Sequence, residues 1–247
     1  MYNGGTMKVL CYIPLHYGKD YLGYAINSVY DYVDKIVIFY TQTPSYGHRE
    51  EGVTCPETEA ELQKAYNDPQ GKIIWKKGWY GNESQHRNTA EEFAQAMGYD
   101  ILFALDYDEI WIGEELEKAI EYVKNSSLRV FRIPMIHFWR SFSKVCRDLC
   151  QPVRFTKFSG EGEGYCPLDK PVFHFGYAIP DKMLKYKWTC HGHKDELRKD
   201  WIGEKWETNA QEDVHPTNLN FWNAEDFDKQ ELPEFMRDHP FYDKEVI

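Results

Sequence analysis

Three carboxylates stand together directly after an apolar stretch of the chain. Asp106, Asp108 and Glu109 follow residues 101–105 (ILFAL), a continuous apolar run of strand length. In an extended segment residues 106 and 108 point the same way, so both carboxylates can face one cation. Such hard oxygen ligands favour Mg²⁺ or Mn²⁺, usually with phosphate oxygens completing the shell. The alternative is a solvated acidic turn that caps a helix beginning near Gly113.

An alternation of apolar strands and amphipathic helices precedes these carboxylates. The patterns predict strands over 7–14, 35–41, 72–76 and 101–105, with helices over 20–33, 56–66 and 82–98 between them. This order is typical of a doubly wound α/β fold with a mostly parallel sheet flanked by helices. Because open sheets of this kind bind ligands beyond the carboxyl ends of their strands, the carboxylates are expected at the ligand-binding edge.

Shorter elements are predicted after the carboxylates. They are a helix over 113–124, strands over 128–135, 153–158 and 171–177, and helices over 180–187 and 195–206. The C-terminal segment is acidic and aromatic, and we expect it to wrap the domain rather than form a second one. Residues 1–6 (MYNGGT) are expected to be a disordered lead-in.

The composition limits the classes of partner. The 247 residues fit one α/β domain. Lys and Arg number 29 against 40 Asp and Glu, a net charge of −11, which argues against nucleic acid or an anionic membrane as the main partner. We expect no membrane span and a cytoplasmic location, because no segment reaches about eighteen apolar residues and no secretory signal pattern opens the chain.

The six cysteines are dispersed along the chain. Thiols without a metal are the default expectation, because paired Cys-x-x-Cys knuckles are absent. A structural zinc site is the alternative, with ligands drawn from Cys146, Cys150, Cys166, Cys190, His191 and His193.

An Arg-Asn pair, Arg87 and Asn88, stands near the start of the predicted helix that precedes Asp106 and Asp108. With a first strand that ends at Pro14, this order of motifs resembles the family 2 glycosyltransferases with the GT-A fold. The acidic motif is similar to a branch of that family acting on bacterial or viral surface glycans. One departure concerns the second strand, which in the family often ends in an acidic loop that holds the nucleotide. Here residues 41–45 (TQTPS) contain no acid.

The resemblance implies a GT-A-like, Rossmann-like fold with an elaborated acceptor region. Residues 7–112 would form the nucleotide-sugar-binding half and residues 113–247 the acceptor-binding half of one domain. Asp106 and Asp108 would hold Mn²⁺ or Mg²⁺. His174 resembles the family's further metal ligand, with His191 and His193 as rivals. A packed core histidine is the alternative for His174.

The donor would be a nucleotide-diphosphate sugar, with a UDP-sugar expected. Its contacts would be Pro14, Arg87, Asn88, Asp106 and Lys185. Arg87 could pair with the diphosphate, because its fork matches phosphate oxygens. The alternative for Arg87 is a surface ion pair with Glu91, one helical turn further along.

An inverting transferase also needs a carboxylate that takes the proton of the acceptor hydroxyl. Glu212 and Asp213 look like the Glu-Asp pair that often supplies this base in the family. The pair Asp195-Glu196 competes with them, and Glu109 is a further candidate because it lies next to the metal motif.

We therefore expect a metal-dependent glycosyltransferase that transfers a sugar to a glycan or other hydroxyl acceptor, by an inverting reaction. Two alternatives remain. A nucleotidyltransferase also needs acids and a metal on a similar sheet, although it would usually carry a glycine-rich basic loop after the first strand. A non-catalytic carbohydrate-binding protein would use the aromatic residues, 16% of the chain, together with Ca²⁺.

Overall fold

The computed structural model describes residues 7–44, 53–148, 151–190, 194–218 and 221–246. Cys150, His191 and His193 therefore lie outside the described residues. The strands are β1 (Val9–Leu15), β2 (Lys35–Thr41), β3 (Ile73–Gly78), β4 (Ile101–Ala104), β5 (Glu109–Ile110), β6 (Val130–Arg132), β7 (Met135–Trp139), β8 (Lys144–Arg147), β9 (Val153–Lys157), β10 (Glu163–Tyr165), β11 (Val172–Tyr177) and β12 (Glu225–Asp226). The α-helices are α1 (Lys19–Val29), α2 (Glu59–Gln63), α3 (Glu83–Ala96), α4 (Gly113–Asn125) and α5 (Asp181–Cys190).

A seven-stranded sheet forms the centre of the molecule, in the order β10-β6-β9-β4-β1-β2-β3. β1 pairs in parallel with both β2 and β4, and β2 pairs in parallel with β3. β9 runs against its neighbours β4 and β6, while β10 is parallel to β6. The predicted mixed α/β architecture with a mostly parallel sheet is confirmed. The antiparallel β9 within it was not predicted.

Helices cover both faces of this sheet, as its apolar strands require. On one face Leu10, Val37 and Leu102 pack with Ala90 and Ala94 of α3. The opposite face packs against α1 and α4 in a larger cluster. Because successive strand residues point to opposite faces, the uninterrupted apolar runs of β1, β2 and β4 supply both layers.

α3 follows the predicted pattern closely. Its N-terminus is capped by the Asn82 side chain, which accepts a hydrogen bond of 2.8 Å from the backbone N–H of Gln85. Ala90 and Ala94 are fully buried against the sheet, whereas Met97, predicted on the same apolar face, is 55% exposed. Gly98 follows with φ +73°, the left-handed conformation that commonly ends a helix.

A second sheet, ordered β12-β8-β7-β11-β5, was not anticipated. The predicted strand over 128–135 is divided at Pro134, and its two parts lie in different sheets as β6 and β7. Proline lacks a backbone N–H and so cannot donate to a continuous ladder. β5 begins at Glu109, the last acid of the motif, and pairs antiparallel with β11, with Glu109 opposite His174.

Two other element boundaries differ from the prediction. Pro14 does not end β1, which continues to Leu15. The predicted helix over 195–206 is replaced by a 3₁₀ turn at Lys194–Glu196 and a π-helical turn at Ile202–Trp206. In that segment Trp201 donates through its indole N–H to the backbone oxygen of Val214 at 3.0 Å, so tertiary contacts determine its path.

The C-terminal segment packs along α1. The imidazole of His239 stacks on Tyr21 with 4.4 Å between ring centroids, and its Nε2 lies 3.0 Å from the backbone oxygen of Asp20. Among the described helices none has both the length and the apolar character needed to cross a bilayer.

Candidate functional site

A cavity of about 330 Å³ opens at the carboxyl ends of β1, β2 and β4. Three of the predicted donor contacts, Pro14, Arg87 and Asp106, line it. The remaining wall residues were not singled out by sequence reasoning as parts of this site. They are Tyr12, Leu15, His16, Tyr17, Thr41, Pro44, His86, Ala104, Tyr107, Arg154 and Cys190. The cavity lies where an open α/β sheet is expected to bind its ligand.

The acidic motif forms a turn rather than the extended segment assumed from the sequence. The backbone N–H of Glu109 donates to the backbone oxygen of Asp106 at 3.1 Å. The chain turns here because it leaves β4 in the central sheet and enters β5 in the second sheet. Asp106 and Asp108 consequently reach different partners, so the expectation that both point the same way was wrong.

Arg154 supplies the positive charge that the three acids require. Its Nη2 lies 2.7 Å from Oδ2 of Asp106, and its Nε lies 3.0 and 2.9 Å from the two carboxylate oxygens of Glu109. Nη2 also donates to Oε1 of Glu109. Because β9 is antiparallel, the beginning of β9 lies at the carboxyl edge of the parallel strands, and Arg154 is the second residue of β9.

Sequence reasoning missed Arg154, although a signal was present. An arginine next to apolar residues in a predicted strand, such as Arg154 between Val153 and Phe155, needs a carboxylate partner if it is buried. Arg154 is 5% exposed and Glu109 is fully buried. Burial raises the pKa of Glu109 to about 7, against the opposing effect of the Arg154 charge. The pair therefore anchors the acidic turn from inside the protein.

Asp106 is the acid that faces the cavity. Its side chain is 40% exposed, compared with 3% for Asp108. Oδ2 of Asp106 is bound to Arg154, whereas Oδ1 accepts no hydrogen bond from the described residues. One oxygen is thus held in place and the other is available to a ligand in the cavity.

Asp108 lies behind the cavity wall in a line of four polar groups. Its Oδ1 is 3.3 Å from Nε2 of His174, and Nδ1 of His174 is 2.8 Å from Nδ1 of His137. Nε2 of His137 lies 3.7 Å from Oδ2 of Asp148. The indole of Trp222 stacks on His137 with 4.5 Å between ring centroids. β7 and β11 place the two histidines opposite each other in register.

The ion pair between Asp108 and His174 shifts the pKa of both groups. Burial alone would raise the pKa of Asp108, but the charge and hydrogen bond of His174 lower it to about 2. The same contact raises the pKa of His174, although burial opposes this. His174 is thus bonded to a predicted site carboxylate, and its role as a metal ligand or as a packed core histidine stays a prediction.

No three His, Cys, Asp or Glu side chains converge as a metal-binding group within the described ranges. The predicted triad of Asp106, Asp108 and His174 is divided, with Asp106 bound to Arg154 and the other two bound to each other. The donor chemistry still suits a divalent cation, because Asp106 presents an oxygen without a partner to a cavity in which phosphate oxygens could complete the shell.

The described cysteines form no disulfide. They are Cys11, Cys55, Cys146, Cys166 and Cys190.

The other predicted residues lie outside the described cavity wall. Asp213 is ion-paired with Arg198 at 2.7 Å and with Lys205 at 3.7 Å, and the hydrogen bond from Arg198 lowers the pKa of Asp213. Glu212 is exposed. Lys185 pairs with two acids on the protein surface, Asp181 and Glu207, each at 3.0 Å. Asn88, Asp195 and Glu196 are exposed as well.

Aromatic and histidine side chains form another part of the cavity wall. Nδ1 of His16 lies 2.8 Å from the backbone oxygen of Thr41, and its Nε2 lies 2.7 Å from the hydroxyl of Tyr186 in α5. The ring of Tyr107 lies over Gly18, where a Cβ atom would come within 1.9 Å of that ring. Gly18 has φ +119°, so glycine is required there for two reasons.

Comparison with known proteins gives distant structural similarities. No protein-family profile matches the sequence, and no curated protein matches it. A structure of S. aureus TarS 1–349 has 13% identity and a TM-score of 0.44, covering 69% of this chain and 61% of that chain. The complex of TarS 1–349 with UDP has 18% identity and a TM-score of 0.37, covering 53% of this chain and 36% of that one.

The mannosyltransferase PcManGT from Pyrobaculum calidifontis, in complex with GDP-Man and Mn²⁺, has 9% identity and a TM-score of 0.38. The matched region covers 53% of this chain and 36% of the mannosyltransferase chain. The present chain thus spans between about a third and three-fifths of these proteins. At this level of similarity the assignment of a function depends on the cavity itself.

Proposed function

We propose that this protein is a glycosyltransferase that moves a sugar from a nucleotide-diphosphate sugar to a hydroxyl group of a glycan or another acceptor. The donor that we propose is a UDP-sugar. The observation that carries the proposal is the cavity at the carboxyl edge of the parallel sheet. Asp106 and two arginines, Arg87 and Arg154, lie on its wall. A carboxylate beside guanidinium groups suits a diphosphate that is bound together with a cation.

The reaction needs positive charge at the leaving group. The acceptor oxygen forms a bond to the anomeric carbon while the bond from that carbon to the diphosphate oxygen breaks. The electron pair of the broken bond leaves with the diphosphate, which gains negative charge. Arg87 is exposed on the cavity wall and can reach phosphate oxygens. Arg154 is held by Glu109 and Asp106, and its fixed charge contributes to the potential in the cavity.

A divalent cation, Mn²⁺ or Mg²⁺, belongs to the proposal. Asp106 would hold it through the oxygen that Arg154 leaves unbound, and Asp108 and His174 are the further candidates. The cation would neutralise the charge that develops on the departing diphosphate.

The proton of the acceptor hydroxyl must pass to a carboxylate, and we propose an inverting reaction in which Asp213 or Glu212 accepts it. In the present conformation Asp213 is bound to Arg198 and Lys205, so it would have to exchange one of these partners for the acceptor. Glu109 is the third candidate, and its raised pKa suits a proton acceptor, but Arg154 occupies its oxygens.

The proposal is tested with a panel of nucleotide sugars and Mn²⁺, in which release of the nucleoside diphosphate is measured with and without added glycans. Asp106→Asn should reduce release strongly, and Glu117→Gln, an exposed substitution on α4, should not. Calorimetry with UDP and Mn²⁺ separates the alternatives. Glycan binding without any nucleotide binding or release would favour a carbohydrate-binding protein, and release of pyrophosphate from a nucleoside triphosphate would favour a nucleotidyltransferase.

A further inference from the structure

A second cavity, of about 310 Å³, lies where the turn between β7 and β8 meets the C-terminal segment. Residues 139–144 and 242–245 form most of its wall, together with Asn209, Gln211 and Lys229. None of these residues lines the cavity of Asp106. The volume is at the lower end of the range of small-ligand sites, about 300–1,000 Å³. The second cavity is therefore large enough to hold a ligand of its own.

The guanidinium of Arg140 is fixed in the wall of this second cavity. The Arg140 side chain is 10% exposed. Its Nε lies 3.3 Å from Oε1 of Glu245, and Nη1 donates to the backbone oxygen of Trp206. The group also lies over the Trp206 indole, 4.8 Å from the ring centroid. The Arg140 backbone is held as well, since its N–H donates to Tyr177 and its oxygen accepts from Val246, each at 2.7 Å.

Two residues of this wall have a left-handed backbone. Arg140 has φ +56° and Asn209 has φ +54°. Asparagine tolerates this conformation, whereas arginine seldom adopts it. Backbone strain of this kind clusters at ligand sites, where the surrounding structure maintains it. The contacts of Arg140 therefore hold its side chain in the wall at a conformational cost.

Arg140 retains hydrogen-bond donors that the protein does not use. Of the five N–H groups of an arginine, one on Nε and one on Nη1 bind protein oxygens, which leaves three. Both N–H groups of Nη2 are among these three. Nη2 has no partner among the described residues, and it is not sealed from solvent. A guanidinium that is held in place with donors to spare is suited to bind an oxyanion.

The charge of the wall also favours an anion, although the whole chain has a net charge of −11. Four basic residues stand against two acidic ones, and they are Arg140, Lys144, Lys229, Lys244, Asp243 and Glu245. Both acids are already paired, Asp243 with Lys229 and Glu245 with Arg140. Lys144 pairs with Asp226, which lies outside the wall, at 2.8 Å. Lys244 is exposed and has no ion pair among the described residues, so its charge is available to a ligand.

We propose that the second cavity binds a sugar that carries a carboxylate or a phosphate group, with Nη2 of Arg140 donating to the anionic oxygens and Lys244 adding charge at the rim. The sugar hydroxyls would meet neutral polar side chains of the wall, which are Ser141, Ser143, Asn209 and Gln211. This site does not depend on the proposed function, because the two cavities share no wall residue.

Calorimetry on the protein without nucleotide tests this site with glucuronate and glucose 6-phosphate. Glucose is the matched ligand, since it has the same ring without the charge. We expect one acidic sugar or both to bind at least about 10-fold more tightly than glucose, the effect of a hydrogen bond to a charged group. The acidic sugar that binds identifies the anionic group. The corresponding free anion, acetate or inorganic phosphate, should bind more weakly because it lacks the hydroxyl contacts.

Four variants locate the bound sugar. Arg140→Lys keeps the charge but loses the guanidinium donors, and should weaken binding roughly fivefold or more. Lys244→Glu reverses a charge at the rim and should weaken binding about two- to fivefold. Lys64→Glu changes the net charge equally at an exposed position outside both cavity walls and should have no effect. Arg87→Gln, in the cavity of Asp106, should also leave the affinity unchanged.

Circular dichroism and the unfolding midpoint establish that each variant is folded. If Arg140→Lys does not fold, the comparison of Lys244→Glu with Lys64→Glu decides. The inference is overturned if wild type binds neither acidic sugar, or if it binds glucose or the free anion equally well. Equal affinities of Lys244→Glu and Lys64→Glu, or a loss of binding in Arg87→Gln, would place the sugar elsewhere and would overturn it as well.

Discussion

The guanidinium of Arg154 joins two carboxylates that the sequence places three residues apart. Its Nη2 lies 2.7 Å from Oδ2 of Asp106, and its Nε lies 2.9 Å from Oε2 of Glu109. One of these acids faces the cavity and the other is fully buried. Arg154 therefore links the ligand-facing side of the acidic turn to the protein core, and the stability of the turn should depend on this link.

Replacing Arg154 by methionine should destabilise the protein by about 3–5 kcal/mol, because it leaves Glu109 buried without its counter-charge. The double variant Arg154→Met/Glu109→Gln should recover a large part of this loss, since the buried carboxylate is removed as well. Chemical denaturation of the two single variants and the double variant measures the coupling. Additive losses in the double variant would show that the two side chains do not act as a pair.

Substitution by asparagine should affect stability and nucleotide release differently at Asp106 and at Asp108. Asp106→Asn changes a partly exposed side chain, so we expect unfolding free energy to fall by roughly 1 kcal/mol or less, while nucleotide release falls strongly. Asp108→Asn removes the charge that faces His174 in the interior, and we expect a loss of roughly 1–3 kcal/mol in stability. Denaturation and release assays on both variants, with Glu117→Gln as the control, separate the two effects. Equal stability of the two variants would contradict the burial of Asp108.

His239 should make the protein sensitive to mild acid. Burial lowers the pKa of His239 to about 4 from an ordinary 6.5. The folded state therefore binds this proton less readily than the unfolded state, and stability falls as the pH decreases from 6.5 towards 4. One such proton changes the unfolding free energy by about 1.4 kcal/mol per pH unit within this window. Above pH 6.5 the group is neutral in both states and has no effect.

The test compares the pH dependence of unfolding in wild type and His239→Gln between pH 7 and pH 4, where the variant should show a slope smaller by about one proton. Lys64→Gln, an exposed substitution, serves as the control. His86 contributes in the same direction, since its pKa is also lowered to about 4, so the variant should retain part of the acid sensitivity. An unchanged slope would mean that His239 is accessible to protons in the folded state.

Gly18→Ala should damage the cavity. A Cβ atom there would meet the Tyr107 ring at 1.9 Å, in addition to the strain of φ +119°. We expect a loss of roughly 2–5 kcal/mol, from about 1–2 for the backbone and about 1–3 for overpacking. Gly98→Ala has φ +73° but open space around it, so it should show the backbone part alone.

Gly203→Ala has neither a left-handed backbone nor a near neighbour and should be close to neutral. Thermal unfolding of the three variants gives the order of the losses. If Gly18→Ala were no less stable than Gly98→Ala, the close packing of Tyr107 on α1 would be wrong.

Local sequence patterns were sufficient to predict the parallel strands of the central sheet and the helices between them. The uninterrupted apolar runs at β1, β2 and β4 predicted strands covered on both faces, and the spacing of Ala90 and Ala94 predicted the helix that covers one of them. These features depend on residues a few positions apart, so they can be deduced from periodicity. The second sheet was missed because its strands are short and its pairing partners are distant in the chain.

The sequence by itself determined that a mostly parallel α/β sheet presents Asp106 at its carboxyl edge. Local hydrophobic patterns give the order of strands and helices along the chain and the position of the acids after a strand. Only the tertiary structure decided what the three acids face. The turn after β4 separates Asp106 from Asp108, the antiparallel β9 delivers Arg154 to the first, and β11 delivers His174 to the second. These partners lie 48 and 66 residues away along the chain, and only strand pairing between distant segments brings them into contact.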